Sequence, residues 1–343
     1  MEIPEHHPSG IPIAERVRAP IDVSTPSPRH QLLWRALRDA DEPQLAALMN
    51  AQDEAPESAV DQQLPTLVAV AHLSGGPDVA TLGGFDRAGV LRAAGFLQLW
   101  PESTAVVVHG VVDPGWSGRG IGGSLMAWQE GRGRQILAGL PGGGTARMLS
   151  YVAESAANRR RLLMAAGFSP LRSVYRMRRD LEAPIACSDL PTGLRWRQLD
   201  RIDPEMVRQT HNSATQGAWA PGPIYPELWR RRWQEYLPEL SCIAYDPAAK
   251  RVAGYALSLI QRPASTMSPR SQATIHRLAV APAYRRRGVG RALLGRALLQ
   301  FADEGRRFAT AAVDPAMPHS GLAMLEDFGF TPAGRTIVYG LDL

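Results

Sequence analysis

Arg285, Arg286, Arg287, Gly288, Val289 and Gly290, followed by Arg291, set two glycines into a run of basic residues. Glycines within a basic turn suit an anion of the phosphate kind. With no Cβ in the way, the backbone can approach the phosphate oxygens closely. The N–H groups of such a turn, and the positive end of the helix after it, then face the charge. A second stretch repeats the pattern: Ser117, Gly118, Arg119, Gly120, Ile121, Gly122 and Gly123.

Each cradle needs a strand before it and a helix behind it. Ala273 to Val280 is apolar and β-branched and stops before Pro282. Arg291 to Leu299 has the apolar spacing of an amphipathic helix. The earlier copy has the valine-rich run Ala105 to Val112, then Asp113-Pro114, the glycine turn, and a helical stretch from Leu125. The echo extends further. Asp41-Glu42-Pro43 and Asp203-Pro204-Glu205 both open helices, and Gly167-Phe168 and Gly329-Phe330 both follow a last helix. The period is roughly 160 residues, that of a duplicated domain.

The expected organisation is an arm rich in proline over 1–29, read as flexible, and a first domain over 30–180, whose degeneracy stays open. A linker over 181–192 and a second domain over 193–343 complete it. Within the first domain Thr66 to Ala71 reads as a strand, and Ser173 to Arg178 as the closing strand. Thr336 to Leu341 is read as closing the second.

The 343 residues are 45% hydrophobic and 21% charged, ordinary for a globular protein, with a net charge of +5. That excess suits an anionic ligand and is small for a nucleic-acid binder; no DNA- or RNA-reading motif is visible, so no nucleic-acid partner is expected. Cys187 and Cys242 are the only cysteines. They imply no disulfide framework and fit a reducing, cytoplasmic setting. No signal peptide and no membrane-spanning run are read. No HExxH, CxxC or carboxylate cluster points to a metal. The runs Arg159 to Arg161 and Arg230 to Arg232 read as solvated helix faces. Gly142 to Gly144 reads as a turn. Trp219, Pro221, Pro223, Tyr225, Trp229 and Trp233 form an aromatic, proline-rich stretch suited to an acceptor wall or to core packing, the latter favoured for Trp229 and Trp233.

With two glycine turns, each in its strand–turn–helix setting, the chain resembles the GNAT acyltransferases. Their signature is Gln/Arg-x-x-Gly-x-Gly/Ala. Arg285 to Gly290 satisfies it in full; Ser117 to Gly122 does so except at its first position. The resemblance covers about Gln31 to Leu343, and the two-domain layout is similar to that of mycothiol synthase-type proteins. It implies an α/β fold (α+β, mixed sheet) of two tandem domains, each a splayed mixed sheet flanked by helices. It also implies acetyl-CoA, with its pyrophosphate on the amides of Arg286 to Arg291 or Gly118 to Gly123. The pantetheine arm would pair with Leu278, Ala279 and Val280, or with Gly110, Val111 and Val112. The implied activity is N-acetyl transfer to an amine, on a small molecule. Both monomer and homodimer stay open.

Such transfer needs a group to take the amine's proton. In some members of the family a histidine on the fourth strand serves, and His276 matches it by position. It lies two residues before Leu278, and the alternation of a strand places it on the face of Leu278 and Val280. The other reading is a histidine hydrogen-bonded in the sheet. The family's usual acid, a tyrosine, is replaced by Leu163 and Leu325. His319, Ser320, Tyr339 and Tyr255 are the nearby substitutes. The complete signature and His276 make the second domain the expected catalytic one. The first would bind acyl-CoA without turnover, serve as scaffold, or act through a base not visible in the sequence. Against the enzyme stands a non-catalytic acyl-CoA-binding or sensing protein.

Overall fold

The computed structural model describes residues 11–51, 78–100, 104–141, 145–216, 224, 226–260, 272–316 and 321–343. The strand expected at Thr66 to Ala71, the turn at Gly142 to Gly144, Trp219, Pro221, Pro223, Tyr225, His319 and Ser320 lie outside them.

The strands are β1 (Leu33–Arg35), β2 (Val79–Phe85), β3 (Leu91–Leu99), β4 (Ala105–Val112), β5 (Arg147–Ala153), β6 (Ser169–Asp180), β7 (Arg195–Arg197), β8 (Cys242–Asp246), β9 (Arg251–Leu259), β10 (Gln272–Val280), β11 (Phe308–Val313) and β12 (Thr331–Asp342). The helices are α1 (Ile13–Arg16), α2 (Glu42–Asn50), α3 (Ile121–Ala138), α4 (Ala157–Ala165), α5 (Pro204–Ala214), α6 (Pro226–Trp233), α7 (Val289–Asp303) and α8 (Leu322–Asp327).

Two compact units result. One is Met1–Arg172 with Thr336–Leu343; the other is Ser173–Arg335. The last strand of each half therefore serves the other half's sheet. β12 pairs antiparallel with β5, from Thr336 opposite Ala153 to Asp342 opposite Arg147. β6 pairs antiparallel with β11, from Phe308 opposite Asp180 to Val313 opposite Tyr175. Alternation in a sequence fixes which face of a strand is buried; it does not choose the neighbour. A closing strand is therefore legible as a strand while its sheet is not.

The first unit's strands run β1-β2-β3-β4-β5-β12. One core lies under α3, where Leu125, Met126, Ile136 and Leu137 meet Val106, Val108 and Met148, joined by Ile337 and Tyr339 of β12. The other lies under α2, where Leu45 and Leu48 meet Phe85, Phe96 and Val111. The arm, expected to be flexible, is docked on the first of these cores over its described part. Ile13 and Val17, four apart and so on one helical face, have no exposure at all, and Arg134 Nη1 donates to the Val17 carbonyl at 2.6 Å.

The second unit's strands run β6-β11-β10-β9-β8-β7. On one face α7 buries Val289, Leu293, Leu294, Ala297, Leu298 and Phe301. Their i, i+4, i+5 spacing makes the apolar stripe that packs on Ala273 and Ile275 of β10. On the other face α5 and α6 bring Val207 and Trp229 onto Ile243, Tyr255 and Leu257. α5 starts where the sequence predicts. Pro204 takes the first position and Asp203 Oδ1 accepts from the Glu205 amide at 2.9 Å, a cap worth about 1 kcal/mol.

Candidate active site

In both units the fourth strand parts from the fifth. β10 pairs with β11 only from Gln272 to Ile275, and β4 with β5 only from Ala105 to Val107. Beyond those points, among the described residues, the two strands are no longer paired with each other. The expected Leu278, Ala279 and Val280, and Gly110, Val111 and Val112, lie on these freed edges. Each edge runs directly into a cradle.

The cradles have matching backbone shapes. Arg286 and Gly288 adopt φ of +61° and +87°; Gly118 and Gly120 adopt +75° and +79°. Left-handed residues two apart turn successive amides toward one side. The first bond in helical register runs from the Ala292 amide to the Gly288 carbonyl at 3.0 Å, and from Ser124 to Gly120 at 3.1 Å. The amides of Val289 to Arg291 and Ile121 to Gly123 are thus the orphan donors of their helix starts. A Cβ on Gly288 would meet nothing within 4 Å, whereas one on Gly120 would meet His30 Cε1 at 3.6 Å. His30 Nε2 bonds Ser124 Oγ at 2.9 Å, so an arm residue sits against the first cradle. The residues of both cradles fit a pyrophosphate by amide geometry. Arg286 and Arg287 are exposed beside theirs. Arg285 is not available in the same way. Its side chain donates to the Val280 and Ala214 carbonyls, at 3.3 and 2.8 Å, and clamps strand to helix. In the first unit Arg119 instead lies over the Trp116 ring, 4.6 Å from its centroid.

The units differ above the cradle. β3 and β4 pair in one unbroken register, Ala93 opposite Val112 through Leu99 opposite Val106. The register of β10 on β9 slips between Ile275 and Arg277. His276 is the extra residue of this β-bulge, which shifts the alternation by one. Ala273 and Ile275 face α7, as do Leu278 and Val280. His276 and Arg277 both face the α5/α6 side, where each meets Tyr236. The expectation that His276 shares a face with Leu278 and Val280 is thereby corrected: a bulge breaks the period of two, and nothing in the local sequence announces it.

His276 belongs to a polar cluster. Its Nδ1 lies 2.9 Å from the Tyr236 hydroxyl. Arg277 Nε donates to the same hydroxyl at 3.1 Å, and Arg277 Nη1 lies 3.2 Å from His211 Nε2. His211 Nδ1 bonds the Tyr255 hydroxyl, and its ring stacks on Trp229 at 5.5 Å. With its proton on Nδ1, His276 donates to Tyr236 and keeps the Nε2 lone pair free to accept another. Burial first, then Arg277, Arg232 and His211, hold its pKa well below the usual imidazole value. It is neutral at physiological pH. Tyr236, Arg277 and His211 are absent from the sequence-based site. They lie far apart along the chain, and only the fold assembles them.

Three further expectations change. Tyr255 is fully buried, its hydroxyl bound to His211, and burial raises its pKa, so it holds its proton. Tyr339 belongs to the first unit, where it accepts from Arg160 Nε at 3.2 Å. The arginine run at 230–232 does not share one solvated face. Arg230 is exposed, but Arg232 is only 6% exposed, because the helix turns it toward β10. Leu163 and Leu325 are core residues, 2% and 7% exposed. In the first unit His109 lies opposite Phe96 in the regular ladder, and Arg159 Nη2 approaches its Nδ1 at 2.8 Å. Burial and Arg159 push its pKa well down.

His211 makes a stability prediction. Burial, then Arg277, lowers its pKa to about 3. Below pH 6.5 the unfolded chain takes up a proton that the folded chain refuses, so stability falls as pH falls, until about pH 3. From pH 7 to pH 5 this one residue costs roughly 2 kcal/mol. Urea unfolding at both pH values should show at least that loss for the wild type and a smaller one for His211→Gln. Equal losses would contradict the assignment.

Among the described residues no group of three or more His, Cys, Asp or Glu could hold a metal ion, and no helix is long and apolar enough to cross a membrane.

Residues 205–330 match the model of the acetyltransferase (GNAT) family. A mycothiol acetyltransferase of Thermobispora bispora is 28% identical over 263 residues, covering 72% of this chain and 79% of that protein. A GCN5-related N-acetyltransferase from Sphaerobacter thermophilus shares the fold with a TM-score of 0.66 at 22% identity, covering 93% of this chain and 97% of that one. A tandem GNAT protein from the clavulanic acid biosynthesis pathway does so with a TM-score of 0.64 at 18% identity, covering 91% and 98%.

Proposed function

From the premise that this chain is a GNAT-family acetyltransferase with the tandem GNAT fold, we propose that it moves an acetyl group from acetyl-CoA to the amine of a small molecule, and that its second unit does so. The bulge at His276 is the observation that carries this reading. It turns a neutral imidazole into a polar cluster beside the parted edge of β10, and β4 has no counterpart.

When bound, acetyl-CoA supplies an acyl group activated as a thioester. The amides of Val289 to Arg291 would hold its pyrophosphate, with Arg286 and Arg287 adding charge. The edge of Leu278 to Val280 would pair with its arm. As the new C–N bond forms and the thioester C–S bond breaks, coenzyme A would leave as its thiolate, and His276 Nε2 would accept the proton that the amine sheds while Nδ1 stays on Tyr236. The low proton affinity of His276 suits that step, because an amine bonded to an acyl carbon is far more acidic than a free ammonium. The first unit keeps a cradle, but a regular β4 and the Arg159–His109 pair replace the bulge and the free imidazole. This supports a binding or scaffolding role for it.

A thiol-release assay with acetyl-CoA and a broad amine panel tests the proposal. Amine-dependent release of coenzyme A is the expected result. Tight binding of acetyl-CoA with no amine-dependent release would favour the acyl-CoA-binding protein instead.

A further inference from the structure

Arg232 has no partner that explains its burial. Its Nε is enclosed and makes no hydrogen bond, and among the described residues the guanidinium forms no ion pair. Arg232 lies in the last turn of α6, four residues before Tyr236. Arg277, His276 and His211 share the cluster. Arg232 feels the cluster's charge: burial, then Arg277, lowers its pKa, and Arg277 and then Arg232 act on His276. Glu235, the carboxylate that acts on it, is exposed and has the least influence of the groups that do. The other acids of this unit that make ion pairs do so elsewhere: Glu205 with Arg208, Asp327 with Arg291, Asp180 and Glu182 with Arg307. Residues 217–225, 261–271 and 317–320 contain no Asp or Glu at all. Among the described side chains, two guanidiniums and two imidazoles thus converge with no carboxylate to neutralise them.

A buried cation is normally paired, since desolvating it alone is costly. Here no pairing group is found among the described residues, and the cluster borders the proposed transfer site. We propose that the acceptor carries its own anionic oxygen group, a carboxylate or a phosphate, and that Arg232, flanked by Arg277, receives it while the amine is presented to His276. This rests on the acetyl-transfer reading. It narrows the acceptor to an anionic amine, and a planar guanidinium fork suits both oxyanions.

The test compares matched amines: amino acids against their carboxamides, and glucosamine 6-phosphate against glucosamine. The readout is the ratio of kcat/KM for the charged over the neutral member. Wild type should favour the charged member of at least one pair by roughly tenfold to a hundredfold. The pair that shows the preference distinguishes carboxylate from phosphate. Arg232→Met should bring the ratio near one, and Arg232→Lys should keep part of it. Because methionine removes an unpaired buried charge, the urea midpoint of Arg232→Met should hold or rise; a large drop would mean a structural arginine and would overturn the proposal. So would a wild-type ratio of one or less, or a ratio unchanged in Arg232→Met. If no pair turns over, calorimetric binding of the same pairs in the presence of coenzyme A is read by the same criterion. Turnover without charge preference sinks this inference alone. Charge-selective binding without turnover sinks the transfer reading and leaves the anion site.

Discussion

His276→Ala is expected to lower kcat for acetyl transfer by roughly 10²- to 10⁴-fold, the span of a positioned acid–base group, with little change in acetyl-CoA affinity. The imidazole sits on the α5/α6 side of β10, whereas the cradle amides begin α7. Its removal deletes a proton acceptor and leaves the cofactor's holds untouched. Tyr236→Phe should lower kcat less, because it loosens the ring without removing it. The pH profile adds a signature. On the proposed role the active form is the neutral imidazole, whose pKa is held well below 6.5 by burial and then by Arg277, Arg232 and His211. Activity should therefore persist on the acid side well past the point where an ordinary histidine charges. Arg277→Met removes one of the charges responsible, and its acid limb should move to higher pH. A normal kcat in His276→Ala, or an unmoved limb in Arg277→Met, would contradict the role.

Deleting Thr336 to Leu343 should unfold the first unit and not the second. These residues come last in the chain, yet they pair with β5. Ile337, Val338 and Tyr339 are 7%, 1% and 1% exposed. Burying three such side chains contributes on the order of 5–8 kcal/mol, comparable with the whole stability of a domain. Their loss also bares the edge of β5 and the apolar side chains of Val152, Leu163 and Phe168. Hydrogen exchange should show protection lost in β5 and α4 and retained in β9 and β10. If protection were lost in β10 and β11 instead, the last strand would belong to the second sheet. Tyr339→Ala is the milder form, costing about 3–5 kcal/mol.

Both cradles were legible because glycine and arginine at fixed spacing after a strand have a local physical cause. The mixed α/β order was legible for the same reason, since each element carries its own period and caps. What escaped depends on contacts between distant residues. The partners of β6 and β12 are not written into their alternation. The bulge at His276 adds one residue without any glycine or proline to mark it. Arg232 sits in a run of three arginines that reads as solvated, and only the helix's rotation against β10 buries it. Tyr236 and His211 come from α6's end and from α5, 40 and 65 positions before His276. Arg285 shows the reverse: the signature singled it out, but its side chain clamps backbone carbonyls.

On the proposed function the second cradle, not the first, serves the reaction. Gly288 and Gly120 hold equivalent left-handed conformations, +87° and +79°, in which a β-branched residue is strained whatever the space around it. Gly288→Val and Gly120→Val are thus matched lesions, and thiol release from acetyl-CoA with a working amine is the measurement. Gly288→Val should abolish most turnover, while Gly120→Val should keep the wild-type rate at saturating acetyl-CoA. Loss of turnover in Gly120→Val with an active Gly288→Val would contradict the account.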